Sequence, residues 1–177
     1  MSAEPTPNGL IARVRSGDAE ALTTLFRRYG QQVFDTAYRI TGSSDDAEDV
    51  VQDVFLGLPE ALPGYRGDGT LGAWIRRLAT RMALLRLRHE KRRRRWHRRA
   101  ARTEPSREPP PELSARLTLQ WALDRMPEEL RVVYVLKEVE GHSHAEVAEL
   151  LGISEGASTV RLHRARRFLR ERLKGRI

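Results

Sequence analysis

The sequence predicts an all-α protein of two small helical domains joined by a flexible, proline-rich linker. Three observations carry that prediction. Apolar residues recur at helical spacing from Gly9 to about Trp96, and again from about Glu112 to Leu173. No run of alternating β-branched residues reads as a strand. Between the two blocks, residues 104–111 read EPSREPPP. Each proline there lacks a donor and restricts the residue before it, so the stretch is neither helix nor central strand. The expected division is a disordered start at 1–8, a first domain at 9–96, a linker at 97–113 and a second domain at 114–177.

The chain has 177 residues, 40% of them apolar and 32% charged, with a net charge of +8. That is a soluble composition with room for modest cores and a bias toward polyanionic partners, either nucleic acid or an anionic membrane surface. Cysteine is absent, which removes disulfides, thiolate metal sites and cysteine nucleophiles. No apolar run approaches the roughly 20 residues of a membrane span, and MSAEPTPNGL lacks the pattern of a signal peptide, so a cytoplasmic protein is expected. The basic residues comprise 29 Arg and 3 Lys. A genome's coding composition can produce such a skew, so the informative feature is where the arginines cluster.

Residues 44–55, SDDAEDVVQDVF, gather acid in this basic chain. Ser43 or Ser44 after Gly42 is the expected N-cap, with Asp45 and Asp46 in the first turn, where the helix dipole favours negative charge. Val50, Val51, Val54, Phe55 and Leu58 form one apolar face, and Asp46, Asp49 and Asp53 lie about 100° away on a side expected to be exposed. Carboxylates on a convex helix face diverge, which disfavours a divalent cation or general acid–base chemistry. A solvated face and a docking surface for a basic partner both remain open.

The next helix opens at LGAWIRRLATRM. Leu71, Trp74, Ile75, Leu78, Met82 and Leu85 fall at core spacing, and Arg77, Arg81, Arg88 and Arg92 form a stripe beside them. Between Arg76 and Arg102 there are 13 Lys plus Arg against one acid, Glu90. Like charges at this density repel one another, and phosphates would relieve the repulsion. Trp74 suits the core or a stacked, unpaired base.

The second domain is punctuated more sharply. Pro127 fits the first turn of a helix ending near Gly141. SHAE at 143–146 is a capping box, AEVAELL a short helix closed by Gly152, and Ser154 the cap of a basic helix from Glu155 to about Leu173. Short helix, glycine turn and basic second helix make a helix-turn-helix. Ser158, Leu162, Ala165, Leu169 and Leu173 should pack inward. Thr159, His163, Arg166 and Arg170 should face DNA, with Val160, Arg164 and Arg167 beside them. Val160 then sits where it can touch a thymine methyl, and Arg161, nearer the buried edge, can reach a phosphate.

Taken in order, GDAEALTTLFRRYGQQVFDTAYRITGSSDDAEDVVQDVFL, the W-I-x-R-x-A helix, MPEELRVVYVLKEVEGHSHAEVAELLGIS and RLHRARRFLRERL resemble the extracytoplasmic function (ECF) sigma factors of the sigma-70 family. The match spans most of residues 9–173. The resemblance implies that the first domain is sigma region 2 and the second is region 4. It implies an acidic helix that docks on the polymerase β′ clamp helices, with Asp46, Glu48, Asp49, Gln52 and Phe55 in the docking positions. It implies that the Trp74 helix and the loop before it open and read the −10 element, through Trp74, Arg77, Thr80, Arg81 and Arg88. Region 4 would read the −35 element through Thr159, Val160, Arg161, His163, Arg164 and Arg167, and would bind the β flap. The implied partners are core RNA polymerase and promoter DNA, with an anti-sigma factor as a further one. No catalytic residue, cofactor, metal or membrane insertion is implied. An extended linker of about 16–18 residues spans roughly 50–60 Å, enough to separate two promoter-binding modules.

Three positions depart from the family pattern: Arg81 replaces a common Asn, Leu85 a common Asp, and Ser158 a usual buried Val. The last predicts looser packing of the recognition helix. Two other readings compete with the sigma factor. A stand-alone helix-turn-helix regulator explains residues 127–173 and leaves the acidic helix idle. A Mg²⁺-dependent nuclease would use the acidic cluster but lacks convergent ligands.

Overall fold

The computed structural model describes residues 7–96 and 115–174. All regular structure among them is helical. They fall into two compact units on either side of the boundary between Trp96 and His97. The expected linker at 97–113 lies outside the described residues, as do residues 1–6 of the expected disordered start. Residues 7 and 8, expected to belong to that start, lie in the first helix, α1 (Pro7–Arg15).

In the first unit α2 (Ala19–Thr41) is bounded by strong local signals. The Asp18 side chain accepts from the backbone N–H groups of Glu20 and Ala21, and Gly42 ends the helix at φ 71°. Ala21, Leu25, Val33, Ala37 and Ile40 recur on one side and are fully buried. α3 (Ser44–Leu56) starts at Ser43, whose hydroxyl accepts from the Asp46 N–H. It buries Ala47, Val50, Val54 and Phe55. The short α4 (Leu58–Ala61) and a 3₁₀ turn at Leu62–Gly64 lead through a glycine-containing loop to α5 (Leu71–Trp96). α2 packs on both α3 and α5, and α3 on α5.

The buried line of α5 differs from the expected one. Leu71, Ile75, Ala79, Ala83 and Leu87 form it, with Thr80 and Leu84 alongside. Leu78 and Met82 are half-buried, and Leu85 is 46% exposed. The i, i+4 row starting at Leu71 faces α2 and α3, which turns the row containing Leu85 outward.

The second unit comprises α6 (Ala115–Asp124), α7 (Glu128–Tyr134) continuing into a π-helical turn at Val135–Val139, α8 (His144–Leu151) and α9 (Glu155–Leu173). Pro127 caps α7 instead of lying inside its first turn. The expected capping box is present at α8, between Ser143 and Glu146, and Gly152 closes that helix at φ 65°. α9 packs on α6, α7 and α8, around Ala122, Leu123, Met126, Ala165 and Leu169.

Candidate functional site

The acidic helix is partly spoken for inside the fold. Arg86 of α5 donates from Nε to Asp46 Oδ1 at 3.0 Å, and its second arm donates to Asp49. The Asp46 bond, followed by the charges of Asp49, Asp46 and Asp53, raises the Arg86 pKa against the opposing effect of burial. The Asp46 side chain is only 17% exposed and that of Asp49 is 46% exposed. The expected free carboxylate face therefore splits. Asp46 and Asp49 are tethered, whereas Asp45, Glu48 and Asp53 are exposed. A guanidinium from within the chain sits between the first two, where a metal-dependent reading would have placed a cation.

Beside that face, α2 and α3 frame an open groove of about 590 Å³ lined by Phe26, Gly30, Phe34, Glu48, Val51 and Gln52, among others. Val51 lines this groove instead of the core. Phe55, expected among the docking residues, is 6% exposed. Its ring packs edge-on beneath Phe26, with centroids 5.1 Å apart, so it supports the surface without forming it. Phe26 is 48% exposed and was missed from sequence. Its place on α2 next to Arg27 and Arg28 gave no periodic signal separating a groove residue from a core one.

On α5 the structure brings Arg77, Arg81 and Arg88 to the surface. Trp74 is half-buried, its ring tilted 58° to that of Tyr65 at 5.7 Å. Tyr65 in turn donates its hydroxyl to the Gly69 carbonyl at 2.8 Å. The loop carrying Tyr65 turns through Gly67 and Gly69, both at positive φ. Thr80 does not join this surface. It is 2% exposed, and its hydroxyl donates to the Arg76 carbonyl one turn back. It lies on the inward side of the helix, next to the buried row.

On α9 the expected outer face stands. Thr159, Val160, His163, Arg164 and Arg167 are all exposed, Val160 at 50%. Arg161 is half-buried and lies 3.8 Å from Glu129. Arg167 donates to Glu171 at 2.9 Å, and that bond raises its pKa. Opposite, Ser158, Leu162, Ala165 and Leu169 are buried, as expected. Ser158, the position expected to loosen the helix, puts a polar group in that buried stripe. The residue is 0% exposed, and its hydroxyl lies 2.9 Å from His144 Nδ1. In the sequence His144 is only the second residue of the SHAE box.

Among the described residues no helix is long and apolar enough to cross a membrane. Comparison with known proteins matches residues 25–93 to the Sigma-70 region 2 model and residues 116–169 to the Sigma-70, region 4 model. The chain is 34% identical to the ECF RNA polymerase sigma factor SigE of Mycolicibacterium smegmatis, over 94% of this chain and 68% of that protein. It is 30% identical to the ECF RNA polymerase sigma-E factor of Escherichia coli, over 94% and 93% of the two chains. Among solved structures it resembles CnrH in complex with the cytosolic domain of CnrY, with a TM-score of 0.51 and 29% identity over 93% and 94% of the two chains. The sigma factor RpoE of Bartonella quintana, solved with the anti-sigma factor NepR, shares the fold at a TM-score of 0.61, with 21% identity over 86% and 96% of the two chains.

Proposed function

Because this chain belongs to the ECF RNA polymerase sigma factors of the sigma-70 family, we propose a division of labour in which its first unit docks on core polymerase and engages the −10 element while its second unit reads the −35 element. It works as a specificity subunit in the cytoplasm and carries out no chemistry of its own. Docking uses the α2–α3 side: Glu48 and Gln52, with Phe26, Phe34 and Val51 in the groove between the helices. Asp46 and Asp49 contribute mainly by holding α3 on α5. Arg77, Arg81 and Arg88 neutralise phosphates near the −10 element, and Trp74 offers a face for an unstacked base. Thr159, Val160, His163 and Arg164 face base edges in the major groove, with Arg161 and Arg167 near phosphates. An anti-sigma factor is the further partner, proposed on family membership alone.

One observation carries the reading: a single helical unit exposes acid and an apolar groove on α2–α3, and basic side chains on α5. A duplex-binding regulator has no use for the first surface. The test is Glu48→Lys. Glu48 is exposed, so the variant should melt like the wild type while its affinity for core polymerase falls about three- to ten-fold, with the gap narrowing as salt is raised. Unchanged affinity would remove the docking assignment. A two-fold symmetric footprint formed without polymerase would favour the stand-alone regulator.

A further inference from the structure

The inward stripe of α9 consists of Ser158, Leu162, Ala165 and Leu169. Three of these are held by apolar contact, which has no preferred direction and so fixes the rotation of a helix less sharply than a hydrogen bond does. Ser158 is different. Its hydroxyl is bonded to the ring of His144, the first residue of α8. The bond joins the N-terminal turns of the two helices of the helix-turn-helix, and a hydrogen bond weakens steeply when its angle is lost. It also lies next to the side chains expected to meet bases, since Thr159 and Val160 directly follow Ser158. A rotation of α9 by about 10° would move a side-chain tip lying 5–6 Å from the axis by about 1 Å. That is enough to break a hydrogen bond to a base edge.

We propose that His144 and Ser158 form a latch that sets the rotation of α9, which makes His144 a positioning residue for promoter choice. It touches no base itself. It determines how Thr159, Val160 and His163 present themselves to the −35 element, and so which upstream sequences are preferred. The polar residue at 158 is therefore a directional fastening, matched by the histidine across from it. The inference rests on the reading of α9 as the −35 helix and goes further by naming what tunes it.

The experiment reconstitutes holoenzyme from core polymerase and the full chain, as wild type, His144→Phe, His144→Asn, Ser158→Ala and Ser158→Val. Each transcribes a promoter library randomised across the upstream element, and the transcripts are sequenced. In His144→Phe and both Ser158 variants the ratio of the best to the next-best upstream sequence should fall about five-fold, the weight of one weakened base contact. His144→Asn keeps a hydrogen-bonding atom near the Nδ1 position and should restore most of the wild-type profile. A merely structural pair would lower total output and leave the ratios unchanged. Wild-type ratios in His144→Phe and Ser158→Ala would overturn the latch. Should His144→Phe fail to fold, the smaller change Ser158→Ala decides alone. A wild-type profile flat across the upstream element would instead overturn the −35 reading of α9, and the latch with it.

Discussion

Arg86 and Asp46 meet at 3.0 Å across the α3–α5 contact. The acidic helix is thereby fastened to the helix that carries the basic stripe. Arg86→Gln would leave the mostly covered Asp46 carboxylate without its cation. The loss of stability should be about 1 kcal/mol, below the usual range for hydrogen bonds to charged groups because Arg86 is more than one-third exposed. Replacing both Asp46 and Asp49 with Lys should cost more, since three cations would then crowd together. Urea unfolding followed by circular dichroism measures both, and a wild-type midpoint for the double variant would contradict the tether. Both aspartates were expected on an exposed side, where reversing their charge would spare the fold. The ion pairs make that reversal a test of stability as well as of docking.

Gly72, in the first turn of α5, has no room for a side chain. A Cβ there would lie 2.9 Å from Cε1 of Tyr29. Gly72→Val should therefore destabilise the first unit by about 1–3 kcal/mol, as overpacking does, and displace the turn that presents Trp74. Adding Tyr29→Ala should recover part of the loss in a double-mutant cycle. Simple additivity of the two changes would mean that the crowding is not what matters.

Asp18 caps α2 and bonds to Arg13 at 2.7 Å. The Arg13 bond first, and then the Ala21 N–H, hold its carboxyl below the usual range. A group whose pKa is depressed on folding stabilises the protein above its unfolded pKa, here about 4, and that contribution disappears as pH falls through the folded value. Asp18→Asn keeps a capping side chain and removes the titration. Between about pH 5 and pH 3 the variant should lose less stability than the wild type, as read from unfolding midpoints. Parallel pH profiles would remove Asp18 from the acid response.

The ends of α8 and the start of α9 were legible because caps are local: Ser143, Glu146, Gly152 and Ser154 announce their roles within a few residues of themselves. So was the orientation of α9, where one period governs the whole helix. α5 was harder to read. Its 26 residues mix apolar and basic side chains almost all the way round, and two adjacent i, i+4 rows fit a core equally well. Only the packing against α2 and α3 selects the row of Ile75 and Ala79 over that of Leu85. Nor does any local signal mark Arg86, among so many arginines, as the one that turns back to Asp46. That pairing depends on two helices meeting 40 residues apart in the chain. The bond between His144 and Ser158 escaped sequence reading for the same reason, as a contact between elements leaves no period behind.

The π-helical turn at Val135–Val139, closed by the Glu140 N–H on the Val135 carbonyl, has a consequence for descent. A π turn holds one residue more than the α-helix it interrupts, so losing a single codon would make the helix regular while leaving both its ends in place. Removing that extra residue would keep the upstream and downstream halves in the same relative orientation, whereas a deletion elsewhere in the helix would rotate one half by about 100° against the other. Arg131, Val132 and Val133 upstream, and Val135 and Leu136 within the turn, are all buried, so a deletion that rotated the halves would carry core residues into water, and the wide turn is where one residue can be lost without doing so. The wide turn thus marks the place where this helix can gain or lose one residue in descent while its buried face stays where it is.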